Sequence, residues 1–253
     1  MRSAVPRSPG WPPSRRRSTA SRWRRSPCPG PPRPNVLHDC AEERGAGLLV
    51  VGSTHHGITG RITLGSTADR LLHGAPCPIA VAPLGFAERM RGLERIGAAF
   101  VDSEEGYEAL RAAGALAAAF RAELHAATAV EPVAWSATSL VQPYDVGAHL
   151  ADLRARAEEH LRTALDGLLP AVRSHYEVLV NSPVTALEQF SHDVDLLVCG
   201  SRGYGPLGSV LLGGVSRRLI HRAACPVIVV PRGTERAIEA LTGAGNATEA
   251  GRA

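Results

Sequence analysis

Residues 47–83 (GLLVVGSTHHGITGRITLGSTADRLLHGAPCPIAVAP) align without gaps on residues 195–231 (DLLVCGSRGYGPLGSVLLGGVSRRLIHRAACPVIVVP), 148 positions later, with 17 of 37 positions identical. Solenoid repeats recur many times at roughly 20–50 residues, so one offset of this size marks a duplicated domain. Each copy reads as an apolar strand, a glycine-bearing loop, a short helix and a second apolar strand. Strands separated by a helix pair in parallel, with right-handed crossovers.

The second copy has a full set of elements upstream. Residues 96–101 are an apolar run that stops at Asp-Ser, and read as a strand. Over residues 104–120, Ala109, Leu110, Ala113, Leu116, Ala117 and Phe120 share one helical face. Residues 123–130 form a second strand and residues 131–147, with Pro132, Pro143 and Gly147, a loop. A leucine stripe from Leu150 to Leu168 marks a long helix over 149–169. Strands at 176–180, 195–200 and 226–230 follow, with helices at 184–190 and 215–221. The expected fold is α/β, a five-stranded parallel doubly wound sheet of flavodoxin or Rossmann-like layout, in one complete and one partial copy. The expected division is a disordered leader at 1–35, a partial domain at 36–88, a complete domain at 94–233 and a flexible tail at 234–253. The partial copy keeps part of a helix, one strand, the loop, a helix and a last strand. It is too short to bury a full core alone.

Charge divides along the same lines. Residues 1–35 hold nine Arg, nine Pro and no acidic residue, while residues 36–253 hold 19 Arg against 24 Asp and Glu, a net of −5. The basicity therefore belongs to the leader. A misassigned start or a disordered tail fits its composition better than a transit peptide, because the prolines break the amphipathic helix such a peptide needs. Charge alone could draw the leader to nucleic acid. No aromatic platform or binding fold accompanies it, so nucleic acid is not the expected partner. No apolar run reaches the roughly 18 residues of a membrane span. The five Cys show no metal spacing and fit a reducing cytoplasm, which is the expected location. All 28 basic residues are Arg. A Walker A loop and a Schiff-base enzyme both need Lys, so neither is available.

The chemistry concentrates in the loop Gly200-Ser201-Arg202-Gly203, nine residues, then Gly213-Gly214-Val215-Ser216. Glycines let backbone N–H groups approach a phosphate, and the next helix offers its free N–H groups and dipole. Two such anchors can cradle a polyphosphate without Lys, and Arg202 adds charge. This G-x-x-G-x(9)-G pattern, followed by a C-P-V-x-V-V last strand, resembles the ATP-binding branch of the universal stress protein family. The resemblance covers residues 95–231 as a whole domain and about 36–83 as a partial one. It implies ATP as ligand, with Mg²⁺ where the metal accompanies it. Adenine would lie against the strand ends at Asp102 and Ala129, and phosphates on Gly200, Gly203, Gly213, Gly214, Val215 and Ser216. It also implies pairing through the last strands, 79–82 and 227–230, within one chain or between chains.

The sequence departs from the family at several points. The first strand ends Val101-Asp102-Ser103 where the family has D-G-S or D-D-S, so either one residue is missing or Val101 holds the Asp position. Gly214 stands where the family has Ser or Thr. In the first copy His55 replaces the second loop glycine while Gly65-Ser66 is intact, and no nucleotide is expected there. Other motifs carry less. Gly203-Tyr-Gly-Pro-Leu-Gly208 spells a dinucleotide fingerprint, but it follows the fourth strand and Pro206 interrupts it. His55-His56 lacks a third ligand, and the sequence singles out no metal site. His73 and His221 read as helix-end residues, and Cys77 and Cys225 as buried structural thiols. Nothing places a nucleophile or general base, so no catalytic residue is assigned, and slow ATP hydrolysis is the one activity conceivable. The expected function is a nucleotide-binding stress sensor. The rivals are an interaction module of the same fold that binds no nucleotide and, more remotely, a dinucleotide oxidoreductase domain.

Overall fold

The computed structural model describes residues 34–54, 59, 62–74, 76–89, 92–132, 146–167, 172–201 and 213–231. Strands β1 (Leu49–Gly52), β2 (Ile79–Ala82), β3 (Arg95–Ala99), β4 (Glu123–Val130), β5 (Ser174–Val180), β6 (Leu196–Gly200) and β7 (Val227–Val230) form one seven-stranded sheet in the order β1-β2-β7-β6-β3-β4-β5. The helices are α1 (Pro34–Glu43), α2 (Ser66–Leu71), α3 (Phe86–Arg89), α4 (Glu104–Phe120), α5 (Val146–Asp166), α6 (Pro183–Phe190) and α7 (Gly214–Arg222). Among the described residues no helix is long and apolar enough to cross a membrane.

The five strands expected in the second copy are β3 to β7, all parallel, in the order β7-β6-β3-β4-β5. Their order reverses between β3 and β6. From β3 the chain moves outward to β4 and β5, then returns to place β6 on the other side of β3. Two apolar layers cover the sheet. One packs Ala109, Leu110, Ala113 and Leu116 of α4 and Leu161 of α5 on Ile96, Ala98, Leu124 and Val198. The other packs Leu187 and Phe190 of α6 and Leu219 and Ile220 of α7 on Leu197, Val227 and Val229. Both faces are buried, which is why β6 and β7 are continuous apolar runs.

The first copy extends the same sheet. β1 and β2 are parallel to each other, and β2 lies antiparallel to β7. Ile79 faces Val229, Ala80 faces Ile228 and Val81 faces Val227. Ala80 thus pairs with its own repeat counterpart, 148 positions on, and its neighbours exchange partners around it. This is the isologous register of a two-fold interface, built here inside one chain. The last strands pair within one chain, one of the two arrangements the family resemblance implied, so Val227–Val230 has neighbours on both sides and is not a free edge. Asp69 of α2 and Arg217 of α7 meet across the joint at 3.8 Å.

Element ends shifted slightly from the sequence expectation. β3 stops at Ala99, two residues early. The Phe100 N–H still donates to the Ala127 carbonyl, 2.8 Å, but Val101 and Asp102 turn away. α1 starts at Pro34, inside the expected leader, because Pro suits the first helical position. α5 runs from Val146 to Asp166, a turn earlier than the leucine stripe suggested.

Candidate functional site

A cleft of about 830 Å³ opens at the carboxyl ends of β3, β4 and β6, where the strand order reverses. Ligands of open α/β sheets bind at this switch point, and pockets of roughly 300–1,000 Å³ are the usual size. Ala99 to Val101 and Ala129 form one wall, Gly200 the floor, and the amino ends of α6 and α7 the other wall.

The floor depends on close packing. A Cβ on Gly200 would lie 2.6 Å from the Glu105 carbonyl oxygen, and one on Gly106 would collide with the Val101 carbonyl. These two glycines let α4 start directly above β6. Ser103 caps α4, its hydroxyl accepting the Gly106 N–H at 3.3 Å.

α7 opens at Gly213, which is extended (φ −62°, ψ 154°) and supplies no side-chain cap. Its carbonyl accepts the Arg217 N–H at 3.0 Å, so the N–H groups of Gly214, Val215 and Ser216 precede the first intrahelical bond. A Cβ at Gly214 would meet nothing within 4 Å, and Val215 is exposed. Among the described residues nothing shields these donors, and the helix start presents them and the positive end of its dipole to the cleft. The buried Ser216 hydroxyl donates to the Gly200 carbonyl at 2.8 Å. Its side chain ties α7 to the end of β6 and is not free to replace the hydroxyl missing at Gly214.

Of the residues singled out in the sequence, Ala129, Gly200, Gly213, Val215 and Ser216 line the cleft together, with Gly214 between them on α7. Arg202, Gly203 and His55-His56 lie outside the described residues. Asp102 departs from expectation. Its carboxylate meets His160 Nδ1 at 3.2 Å, on α5, and accepts a hydrogen bond from Tyr107. Burial first, then the Asp102 charge and that bond, raise the Tyr107 hydroxyl pKa, and the ring packs edge-on against Phe100 at 5.2 Å. Held from two helices, Asp102 is not part of the cleft lining. Val101 is.

Arg218 and Arg222 were not foreseen. Both line the cleft one and two turns into α7. Arg222 is paired with Glu188 of α6 at 3.2 Å, whereas Arg218 has no acidic partner among the described residues. Their place follows from the start of α7 at Gly214, since Arg218 lies four residues on, one turn into the helix. Cys77 and Cys225 are buried, as expected. Burial pushes the Cys77 thiol up to about 11 and those of Cys199 and Cys225 up to about 12. His73, just past the end of α2, hydrogen-bonds through Nδ1 to the Asp69 carbonyl of that helix at 2.6 Å.

Known proteins agree with this architecture. The universal stress protein family matches residues 30–83 and 92–231. A universal stress protein of Mycobacterium tuberculosis is 30% identical over 203 residues, which cover 77% of this chain and 68% of the relative. One of Thermus aquaticus is 32% identical over 136 residues, 52% of this chain and 94% of the relative. The crystal structure of a universal stress protein from Archaeoglobus fulgidus superposes with a TM-score of 0.53 at 20% identity, covering 79% of this chain and 66% of that one. The chain thus spans about two thirds of the length of the mycobacterial and archaeal relatives. With the repeat, the strand order and the matched segments in agreement, the chain belongs to the universal stress protein family.

Proposed function

We propose that this chain is a nucleotide-binding stress-response module that takes ATP, with Mg²⁺, in the switch-point cleft. The observation that carries this reading is the first turn of α7, which no side chain caps among the described residues, beside Arg218, which has no acidic partner among them, opening onto that cleft. Three backbone donors, the helix dipole and one guanidinium suit a polyphosphate. The other end of the cleft sets the apolar Val101 and Ala129 beside the polar side chains of Ser103, Thr128 and Glu131. The phosphate contacts at the start of α7 are the part of the binding on which this reading rests. We read the role as binding or sensing rather than catalysis. The free, buried thiols support a cytoplasmic setting.

We also infer that residues 36–88 are a shortened copy of the domain at 94–233. The copy supplies the strand that covers β7 inside one chain, where a relative lacking it would use a second subunit.

One observation favours the rival reading, an interaction module that binds no nucleotide. Val101 lines the cleft just past the end of β3, and Asp102 is committed to His160 and Tyr107. Displacement of a fluorescent ATP analogue from the full chain separates the two readings. The nucleotide reading expects affinity to fall steadily from ATP through ADP to AMP, and Arg218→Glu to weaken ATP by about tenfold or more. Adenosine competing as well as ATP, or an Arg218→Glu protein that binds normally, would refute it.

A further inference from the structure

We infer that Glu123, His125 and His175 form a binding site for a divalent metal ion of the zinc class, at the amino-terminal ends of β4 and β5. No sequence spacing suggested it, because the ligands come from strands 50 residues apart. Register brings them together. His125 and His175 are partners on adjacent parallel strands, and Glu123 lies two residues before His125, on the same face of β4. The patch sits at the opposite end of the sheet from the nucleotide cleft.

Its geometry is close to that of a three-ligand site. The ligand atoms of all three side chains lie within 4.8 Å of one another. The Glu123 carboxylate oxygen Oε2 is 3.6 Å from His125 Nε2 and 3.8 Å from His175 Nε2. The imidazoles stack at 4.9 Å and 29°, so both Nε2 atoms address the same carboxylate oxygen. Bonds of about 2.0–2.2 Å to a tetrahedral ion bring such atoms roughly 3.5 Å apart, a small rotation away. The exposed His175 side chain on edge strand β5 is free to make it.

The surroundings of His125 point the same way. Its Nε2 atom is shielded from solvent although the side chain is 26% exposed, and Glu123 Oε2 at 3.6 Å gives it a charge contact rather than a well-formed hydrogen bond. A metal ion at the centre of the three would satisfy it. Outer-shell support is already in place. The Arg173 guanidinium donates to Glu123 Oε1 at 2.8 Å, which leaves Oε2 turned toward the imidazoles. Two nitrogens and one oxygen select zinc, nickel or copper over magnesium and calcium, which prefer oxygen alone. This ion is therefore distinct from any Mg²⁺ that accompanies a nucleotide. Three protein ligands leave a fourth position for water or a partner's side chain.

The test is a Zn²⁺ titration of the chelator-stripped full chain against a chromophoric competitor, without nucleotide and with excess Mg²⁺. The site predicts one tight Zn²⁺ per chain, weakened by about tenfold or more in His175→Ala, a variant of an exposed edge-strand residue that leaves the fold intact. Co²⁺ should give the intense visible bands of a four-coordinate ion, absent in the same variant, while His192→Ala binds as the parent does. Equal affinity in the parent and in the His125→Ala/His175→Ala double variant would place the ion elsewhere and overturn the inference. So would no binding by the parent at about 100 µM Zn²⁺.

Discussion

Gly200 and Gly106 decide how closely helix α4 lies on the end of β6. A methyl at Gly200 meets backbone, the Glu105 carbonyl oxygen at 2.6 Å, which no rotamer change relieves. Gly200→Ala should lower stability by about 1–3 kcal/mol in urea denaturation and weaken the nucleotide by displacing the cleft floor. The buried thiols make a second prediction. Cys77, pushed up to about 11, and Cys199 and Cys225, pushed up to about 12, keep their protons in the folded state, where an exposed thiol ionises near 9. Above that pH the unfolded chain releases protons that the folded chain retains. Thiol-derived stability is therefore complete below pH 9 and is lost as pH rises toward 11 and 12. These three thiols should react with a disulfide reagent at pH 8 only as fast as the protein unfolds, whereas half-exposed Cys40 reacts sooner. Rapid labelling of all of them in the folded protein would contradict the packing.

At the scale of elements, helix α4 shows what local pattern can determine. Its stripe of Ala and Leu, its Ser103 cap and its end before the left-handed Arg121 are all local, and its bounds are those the sequence implied. Ser103→Ala should cost about 1 kcal/mol, read from the shift in urea midpoint. Strand β4 was legible for the same reason. The order of strands was not, because pairing between β3 and β6 joins residues 100 apart, and apolar runs buried on both faces carry no label of their neighbour. The cleft was half legible. The glycines before α7 announced an anion site, but the direction of Asp102 depends on His160 and Tyr107 from two other helices. Arg218 needed the exact start of α7 before its place on the cleft wall could be seen, and the pairing of His125 with His175 needed the register of β4 and β5.

For the whole molecule, the joint between β2 and β7 is the defining feature. The first copy packs on the second along this joint: β2 lies on β7, and Leu71 and Leu72 join the layer that also holds Leu219 and Ile220, while α1 packs on α2 within the first copy. Removing residues 1–89 would bare the apolar edge Val227–Val230. That shorter chain should dimerise through β7 in light scattering, and its remaining as a monomer would show that the first copy does not serve to cover this edge. The central claim, a polyphosphate seated on the start of α7, is tested most directly by calorimetric titration of Mg·ATP into the full chain and its Val215→Glu variant. Val215 is exposed in the cleft, so a carboxylate there leaves the fold alone and repels the phosphates at the helix end. The account predicts micromolar binding by the parent and none detectable by the variant at the same concentrations. Equal binding by both, or no heat from the folded parent at millimolar ATP, would contradict it.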